Sequence, residues 1–395
     1  MALQAHVRTG LDVLRGQGFA PLRGLRVGLV THSAAVDHQL RHITELLAEA
    51  PGVRLAALFG PEHGLNADAQ DLIRVGDGFD AKSGLRVYSL YGESVASLRP
   101  TENQLRGLDA LVIDLQDVGS RYYTFQATML FCMEVASQSG LLTVVLDRPN
   151  PIGGTEVEGP LLKHGYESFV GVHTLATRHG MTIGELARMY KAERNLPGEL
   201  EVVRCTDWKP EMYFDQTGLP WVLPSPNMPT LDTAVVYPGQ CLAEGTNLSE
   251  GRGTTRPFEL CGSPDIDARK VCGRLIDESW PGAVFRPVWF KPTFHKFTGR
   301  TCAGVQIHVL DREAFRPVRT GLAVLAALRE DAGSDFAWRT EPYEFVTDRL
   351  AIDLLFGSDR ERRALEAGQT AHQIARAWEA EEEEFRKRRE PYLLY

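Results

Sequence analysis

The sequence predicts an α/β fold in which a mostly parallel sheet, with helices on both faces, precedes a smaller α+β domain. Short apolar runs alternate with helical segments through residues 25–146, which is typical of βαβ units. Two of these runs, residues 110–115 and 141–146, are apolar almost throughout, as strands buried on both faces are. From about residue 265 the alternation ends. The predicted domains are therefore residues 1–262 and 263–395.

Each predicted strand of the first domain is short, apolar and rich in β-branched residues, and each helical segment has apolar residues at helical spacing. Because crossovers between parallel strands are right-handed, the loops that follow the strands should share one edge of the sheet. The predicted strands are residues 25–31, 53–59, 85–91, 110–115 and 141–146, and the predicted helices are residues 40–50 and 125–139.

The second half of the chain is less regular. Thr182 and Glu185 have the spacing of a capping box, which predicts the start of a helix at this point. Residues 147–180 and 220–265 are rich in Gly, Pro and small polar residues and are predicted to be loops. The dense charge run at residues 381–390 predicts the solvated face of a last helix. In the second domain, helices are predicted at residues 266–278 and 320–330, and strands at 285–290 and 304–310.

Composition excludes several classes of protein. The chain has 395 residues, 43% of them hydrophobic, and a net charge of −9, which favours a packed core and gives no basic stripe for nucleic acid. No run approaches the roughly 18 to 20 apolar residues of a membrane span. The start of the chain lacks the pattern of a secretory signal, and the six cysteines form no CxxC pair. We therefore expect a cytoplasmic protein with buried free thiols, without nucleic-acid or membrane partners.

Polar residues follow three of the predicted strands, at the edge where ligands bind to open α/β sheets. GPEHG follows the strand at 53–59, QDVGSRYY follows the strand at 110–115, and DRPNPIGG follows the strand at 141–146. A carboxylate at such a position can act as a general acid or can only cap a helix or anchor a loop. The candidate residues at this edge are Glu62, His63, Asp114, Gln116, Asp117, Arg121 and Tyr122.

Two later loops add further candidates. SPNMPT is a stiff turn that carries one amide, and residues 244–255 form the most polar stretch of the chain. The three glycines of that stretch indicate backbone close to a ligand. One of the two arginines in the polar segments, Arg121 or Arg252, could grip a carboxylate of the ligand, or both could only brace the loops through backbone carbonyls. The candidates in these loops are Asn227, Asn247, Ser249, Glu250 and Arg252.

Several familiar motifs are absent from the sequence. It contains no HExxH or CxxC pattern, no phosphate-binding GxxxxGK[ST] loop, no clean GxGxxG after a strand and no GxSxG turn. We therefore predict no metal and no cofactor, and the sequence argues against a serine hydrolase.

The segments LFGPEHG, DLQDVGSRYYTF, LDRPNPIGG, HGMTIGELA, PSPNMPTLDTAVVYPGQCLAEGTNLSEGRGTTRPFE and PYLLY occur in order from about residue 22 to 395. In them the chain resembles the exo-β-N-acetylmuramidase family, formerly a family of unknown function. The resemblance implies a Rossmann-like domain, an auxiliary domain and a site in the cleft between them. It also implies that Glu62 is the favoured catalytic residue, while Asp117, Asn227 and residues 249–255 match further family motifs.

The prediction is thus a glycoside hydrolase that releases N-acetylmuramic acid from the non-reducing end of peptidoglycan fragments. Glu62, Asp117 and Glu250 are its predicted catalytic residues. Its partner would be a small muropeptide sugar, in cytoplasmic recycling of cell-wall material. Residues 65–70 differ from the more basic loop common among relatives, so specificity could differ. Retaining, inverting and substrate-assisted mechanisms stay open, and the alternatives are a metal-dependent amidase or esterase and a non-catalytic sugar-binding module.

Overall fold

The structure, a computed structural model, describes residues 7–70 and 72–395. The strands are β1 (Arg26–Thr31), β2 (Arg54–Gly60), β3 (Gly78–Phe79), β4 (Arg86–Ser89), β5 (Ala110–Asp114), β6 (Leu142–Leu146), β7 (Glu158–Leu161), β8 (Ala176–Arg178), β9 (Leu200–Val203), β10 (Leu260–Ser263), β11 (Ala283–Phe290) and β12 (Cys302–Val309). The α-helices are α1 (Gly10–Gly16), α2 (Ile43–Glu49), α3 (Glu102–Leu105), α4 (Phe125–Gln138), α5 (Ile183–Glu193), α6 (Leu231–Gln240), α7 (Ala268–Asp277), α8 (Pro317–Ala332), α9 (Ala351–Phe356), α10 (Arg360–Glu366), α11 (Ala371–Arg376) and α12 (Glu379–Arg389).

The main sheet has the strand order β3-β4-β2-β1-β5-β6-β9. Its strands run parallel, except that β3 pairs antiparallel with β4. The chain progresses outward from β1 through β2 and β4 on one side, and through β5, β6 and β9 on the other. The loops after β2, β5 and β6 therefore lie at one edge of the sheet, on either side of the point where the strand order reverses.

Alternate side chains of the central strands enter two different cores. Leu111 and Ile113 of β5 pack into the larger core with Met129 of α4 and Leu186 of α5. Val112, between them, packs into the second core, where α1 and α2 contribute leucines. Because successive side chains of a strand point to opposite faces, a strand covered on both faces is apolar at every position. This explains why residues 110–113 are all apolar.

The second half of the chain forms a three-stranded antiparallel sheet of order β10-β12-β11, and α7 packs on it. Helix α8 packs against α6, and also contacts β7 from the first half. Gly239 and Gly321 lie where α6 and α8 meet, and a Cβ on Gly239 would lie 1.9 Å from the Pro317 carbonyl oxygen. Only glycine permits this approach, so the contact fixes how the loops of the second half sit over the main sheet.

The predicted α/β class and the mostly parallel sheet are confirmed. The capping box predicted at Thr182 is present, with Glu185 as its second partner. The domain boundary after residue 262 stays a prediction; β10 crosses that position and pairs with β12. Helix α6 begins within a segment predicted to be loop, with Thr230 as its N-cap. Among the described residues, no helix is long and apolar enough to cross a membrane.

The predicted solvated face of the last helix is only partly correct. Glu382 of α12 is buried, where it accepts hydrogen bonds from Arg319 and from the Gly159 amide. Arg389 is also buried and donates to the carbonyl groups of Gly154 and His179. Charges that pack against polar backbone cannot be distinguished in a sequence from charges that face water.

Candidate active site

A cavity of about 500 Å³ lies between the edge of the main sheet and the loops of the second half. The loop after β2 and the start of α4 form one wall. The SPNMPT turn, the polar stretch at 244–255 and a loop near residue 343 form the others. The lining residues are Glu62, His63, Tyr122, Tyr123, Thr124, Val170, Ser225, Asn227, Met228, Tyr237, Glu244, Arg252, Phe258, Tyr343 and Glu344.

Glu62 is held in the tight turn that follows β2. His63 and Gly64 both have positive φ, 71° and 80°, and the Gly64 amide donates to the Pro61 carbonyl. Glu62 is buried, and its Oε2 accepts a hydrogen bond of 2.6 Å from the Thr124 hydroxyl. Thr124 is the N-cap residue of α4, so the carboxyl group of Glu62 lies beside the start of that helix. The turn and this bond fix the orientation of the carboxylate on the cavity wall.

His63 and Asn227 connect the cavity to the segment at residues 65–70. The His63 Nδ1 lies 2.9 Å from the Ala69 carbonyl oxygen, so that nitrogen carries a proton and donates it. The Asn227 amide donates to the Gln70 side chain at 2.7 Å. The loop at residues 65–70 is therefore tied to two residues that line the cavity.

Arg252 and Glu244 form an ion pair on the opposite wall. The Arg252 NH1 lies 2.7 Å from Glu244 Oε1 and 3.3 Å from Glu250 Oε1. The Tyr343 hydroxyl donates to the other oxygen of Glu244 at 2.6 Å. Burial and the neighbouring Glu244 charge raise the pKa of Tyr343 well above its usual value, so it stays a donor. Glu244 thus has both carboxylate oxygens oriented by fixed donors.

Glu250 lies outside the residues that line the cavity and is fully buried. Its carboxylate is 2.9 Å from the Lys296 Nζ and 3.1 Å from the His295 Nδ1. Burial alone would raise the pKa of Glu250, but Lys296, His295 and Arg252 together hold it well below its usual value. Lys296 also donates to the carbonyl groups of Ala243 and Leu248. Glu250 and its charged partners therefore hold the polar stretch in place.

The predicted residues at the end of β5 and directly after it support the loop that follows this strand. Asp114 is buried in a two-point ion pair with Arg148, at 2.5 and 2.9 Å. The Gln116 amide donates to the carbonyl groups of Asp117 and Pro149. Asp117 accepts from the Gly119 amide at 2.7 Å, and its Oδ2 lies 3.4 Å from the His179 Nε2. These three side chains lie outside the set that lines the cavity and hold the loop that carries Tyr122 and Thr124.

The structure does not bring Arg121, Asn247 or Ser249 into the cavity. Arg121 is fully buried and donates to three backbone carbonyl groups; burial lowers its pKa to about 10. The Asn247 side chain pairs with the backbone of residues 335 and 337, and the Ser249 hydroxyl accepts from the Gly251 amide. Of the two arginines predicted to meet a substrate carboxylate, only Arg252 lines the cavity.

Two glycines of the polar stretch allow close packing of the backbone. A Cβ on Gly251 would lie 2.7 Å from the Leu260 carbonyl oxygen, and one on Gly253 would lie 2.5 Å from that of Phe294. Both glycines have φ near +80°. Lying on either side of Arg252 in the sequence, they permit the polar stretch to pack against residues 260 and 294. Their predicted approach to a ligand stays a prediction.

Sequence reasoning missed Glu244, Tyr343 and Glu344 as site residues. Glu244 opens the polar stretch, so its position could have identified it. Nothing in the sequence marks Tyr343 and Glu344, which reach the cavity through a loop more than 200 residues from Glu62. Glu344 is buried, accepts a 3.1 Å hydrogen bond from the Tyr91 hydroxyl, and has a positive φ of 46°. Within residues 7–70 and 72–395, no group of three His, Cys, Asp or Glu residues is arranged for a metal ion.

Three carboxylates around a polar cavity, at the edge of a parallel sheet, define an α/β enzyme of the glycosidase type. The N-terminal and C-terminal models of the exo-β-N-acetylmuramidase NamZ family match residues 27–232 and 235–395. The chain therefore belongs to this family, and the predicted resemblance is confirmed.

Similar proteins agree with the family assignment. The peptidoglycan β-N-acetylmuramidase NamZ of Bacillus subtilis (strain 168) is 44% identical over 394 residues, covering 100% of this chain and 92% of that protein. A DUF1343 family protein (BF0371) from Bacteroides fragilis NCTC 9343 has a TM-score of 0.89 at 34% identity, covering 99% and 100% of the two chains. A second one (BF0379) has a TM-score of 0.76 at 28% identity, covering 98% and 99%. The protein is accordingly a glycosidase.

Proposed function

We propose that this enzyme hydrolyses the β-glycosidic bond of a terminal N-acetylmuramic acid in peptidoglycan fragments, with Glu62 as its general acid. The observation that carries the proposal is the position of Glu62, on the wall of a cavity of about 500 Å³ with its carboxylate fixed by Thr124. The similarity to a β-N-acetylmuramidase supports the choice of sugar. The match to the exo-β-N-acetylmuramidase family supports cleavage from the chain end.

In this mechanism Glu62 donates a proton to the glycosidic oxygen as its bond to the anomeric carbon breaks. A general acid must lie within hydrogen-bond reach of that oxygen, and the Thr124 hydroxyl keeps the carboxyl group in a single orientation. The leaving sugar departs as an alcohol, and positive charge develops on the ring of the muramic acid. That charge requires a second, anionic group in the cavity.

We assign that second role to Glu244. It lines the same cavity as Glu62, and Arg252 and Tyr343 fix both of its oxygens. It can stabilise the developing positive charge, direct a water molecule to the anomeric carbon, or orient the 2-acetamido group of the substrate. For Asp117 and Glu250 we propose positioning roles, because each braces a loop that carries cavity residues.

A direct assay tests the proposal. The wild-type enzyme should cleave a chromogenic β-N-acetylmuramide, and should release monomeric N-acetylmuramic acid stepwise from glycan oligomers that carry it at the non-reducing end. Glu62→Gln keeps the shape of the side chain and removes the proton, so turnover of the glycan oligomers, whose leaving sugar needs that proton, should fall by at least ~10²-fold. Glu49→Gln makes the same change on an exposed helix surface and should leave turnover at the wild-type rate. Internal cleavage products, or near-normal turnover of the glycan oligomers by folded Glu62→Gln, would overturn the proposal.

We also propose a cytoplasmic location, in the recycling of cell-wall fragments. The six cysteines support it, because all are buried free thiols and none forms a disulfide in the described part of the chain. The test is fractionation of the native cells with an antibody to the protein. Recovery of the protein outside the cytoplasmic fraction would contradict this location.

A further inference from the structure

A second, open cavity of about 1,100 Å³ adjoins the first one. Glu344 lines both, and the neighbouring pairs Phe169–Val170 and Glu344–Phe345 place one residue in each. We call this second cavity the groove. Because the two spaces meet at Glu344, they can hold neighbouring parts of one molecule.

The floor of the groove is aromatic and aliphatic. The rings of Phe131 and Phe169 are stacked with centroids 6.3 Å apart. Tyr91 packs against both Phe169 and Phe345, at 5.8 and 5.7 Å, and its hydroxyl donates to Glu344. Val95, which also lines the groove, is 58% exposed although it is apolar. The same tyrosine thus supports the floor of the groove and the carboxylate at its entrance.

The rim of the groove is polar and carries both charges. Arg99 lies over the Phe131 ring at 4.0 Å and pairs with Glu134. Arg194 donates to the Val172 carbonyl group, and His164 and Glu167 form another pair at the rim. An apolar floor with hydrogen-bonding groups at its edges matches a sugar ring, which has apolar faces and polar edges. A purely apolar partner would leave these charged groups without water.

We propose that the groove binds the leaving-side glycan, that is, the amino-sugar residues on the reducing-end side of the bond that is cut. This proposal rests on the proposed function. If the first cavity holds the terminal sugar, the remainder of the chain must continue outward from the cut bond. The groove begins at Glu344 and has more than twice the volume of the first cavity. Contact with the Phe345 ring would bury one face of a leaving-side sugar.

The test compares two substrates that differ only beyond the cut bond. One is a chromogenic β-N-acetylmuramide, which has no leaving-side sugar; the other is a peptide-free tetrasaccharide with terminal N-acetylmuramic acid. Phe345→Ala should lower the ratio of kcat/KM for the tetrasaccharide to that for the muramide by about tenfold, mainly through KM, as expected when an aromatic contact is truncated. Phe345→Tyr keeps the aromatic face and should restore most of the ratio.

Two further variants keep the test decisive if Phe345→Ala folds poorly. Val95→Glu changes an exposed position that lines the groove and should lower the ratio by repelling the one muramyl carboxylate on the leaving side of the tetrasaccharide. Trp289→Ala removes an exposed aromatic residue on β11, outside the residues that line the groove, and should keep the wild-type ratio.

An unchanged ratio in Phe345→Ala and Val95→Glu would overturn the groove assignment, while activity on the muramide would leave the proposed function standing. If the wild type cleaves neither substrate, the proposed function itself fails. Loss of rate only with peptide-bearing glycans would assign the groove to the stem peptide and would also overturn the proposal.

Discussion

Arg252 donates a hydrogen bond of 2.7 Å to Glu244 on the wall of the cavity, so a cation and a carboxylate of the site orient each other. Neither residue is near Glu62 in the sequence. The polar stretch brings both into the cavity, and the Glu250 carboxylate holds that stretch through Arg252 and Lys296. The active site is therefore built from two halves of the chain, and each half contributes one of the proposed catalytic carboxylates.

Glu244→Gln should lower kcat by about 10²-fold or more, because an amide cannot balance the positive charge that develops on the sugar ring. KM should change much less than kcat. Tyr343→Phe removes only one hydrogen bond to Glu244 and should have a smaller effect on kcat. Steady-state kinetics on the chromogenic muramide measures both variants. A normal kcat for folded Glu244→Gln would exclude Glu244 from the chemistry.

Arg252→Met should reduce cleavage of the muramide more than cleavage of the corresponding glucosaminide. The two sugars differ by a lactyl ether that carries a carboxylate, and Arg252 is the guanidinium that lines the cavity within the described residues. A charge-assisted contact to the lactyl group would make the difference about 10- to 150-fold in kcat/KM. Equal losses on both sugars would mean that Arg252 only balances Glu244 and Glu250, and would contradict its role in recognition.

Arg121→Met should act on stability rather than on specificity. The buried guanidinium donates to the carbonyl groups of Pro160, Leu175 and Leu355, at 2.7 to 2.9 Å. Methionine fills much of the space but leaves three buried acceptors unpaired, which should cost about 3 to 5 kcal/mol. Denaturant unfolding of both proteins measures the cost. A loss of stability below about 1 kcal/mol, the net value of one ordinary hydrogen bond, would show that the carbonyl groups find other donors.

The fold was predictable because strands that are buried on both faces have mostly apolar sequences. Strands β5 and β6 are covered on both faces and are apolar except at Asp114 and Thr143, so they could be recognised without the structure. Helix α6 could not, because it contains Pro238 and Gly239 and depends on the close contact of Gly239 with Gly321. Its stability comes from tertiary packing rather than from local preference.

The site was only partly predictable, for a similar reason. Glu62 and His63 follow a strand in a turn, and Asn227 and Arg252 lie in polar loops, so position and composition identified them. Arg121 follows a strand in the same way, yet its charge is used for bracing. Glu344 reaches the cavity only through the packing of a distant loop, which no local pattern records.

Lys296→Met should destabilise the protein at neutral pH and change its response to acid. Glu250 is buried, and its pKa in the folded protein is held below its usual value. A lowered carboxyl pKa stabilises the fold above the unfolded pKa of about 4.3, and this stabilisation is lost as the pH falls through the folded pKa. Removing Lys296 leaves the buried negative charge of Glu250 with one positive partner fewer. This should lower the free energy of unfolding by about 3 kcal/mol near pH 7.

The wild type should therefore lose more stability than Lys296→Met when the pH is lowered from 7 to 3, as measured by denaturant unfolding at each pH. Lys270→Met removes an exposed lysine that pairs with Asp331 and serves as the matched control, for which little change is expected. Parallel pH curves for the wild type and Lys296→Met would contradict the proposed stabilisation of Glu250.

The most direct test of the account is how Glu62→Gln responds to the leaving group. A sugar alcohol needs a proton to depart, whereas 2,4-dinitrophenolate does not. If Glu62 is the general acid, the variant should lose about 10²- to 10⁴-fold in turnover on a muramyl disaccharide, but far less on 2,4-dinitrophenyl β-N-acetylmuramide. Equal losses on both substrates would show that Glu62 does not donate the proton, and would contradict the central claim.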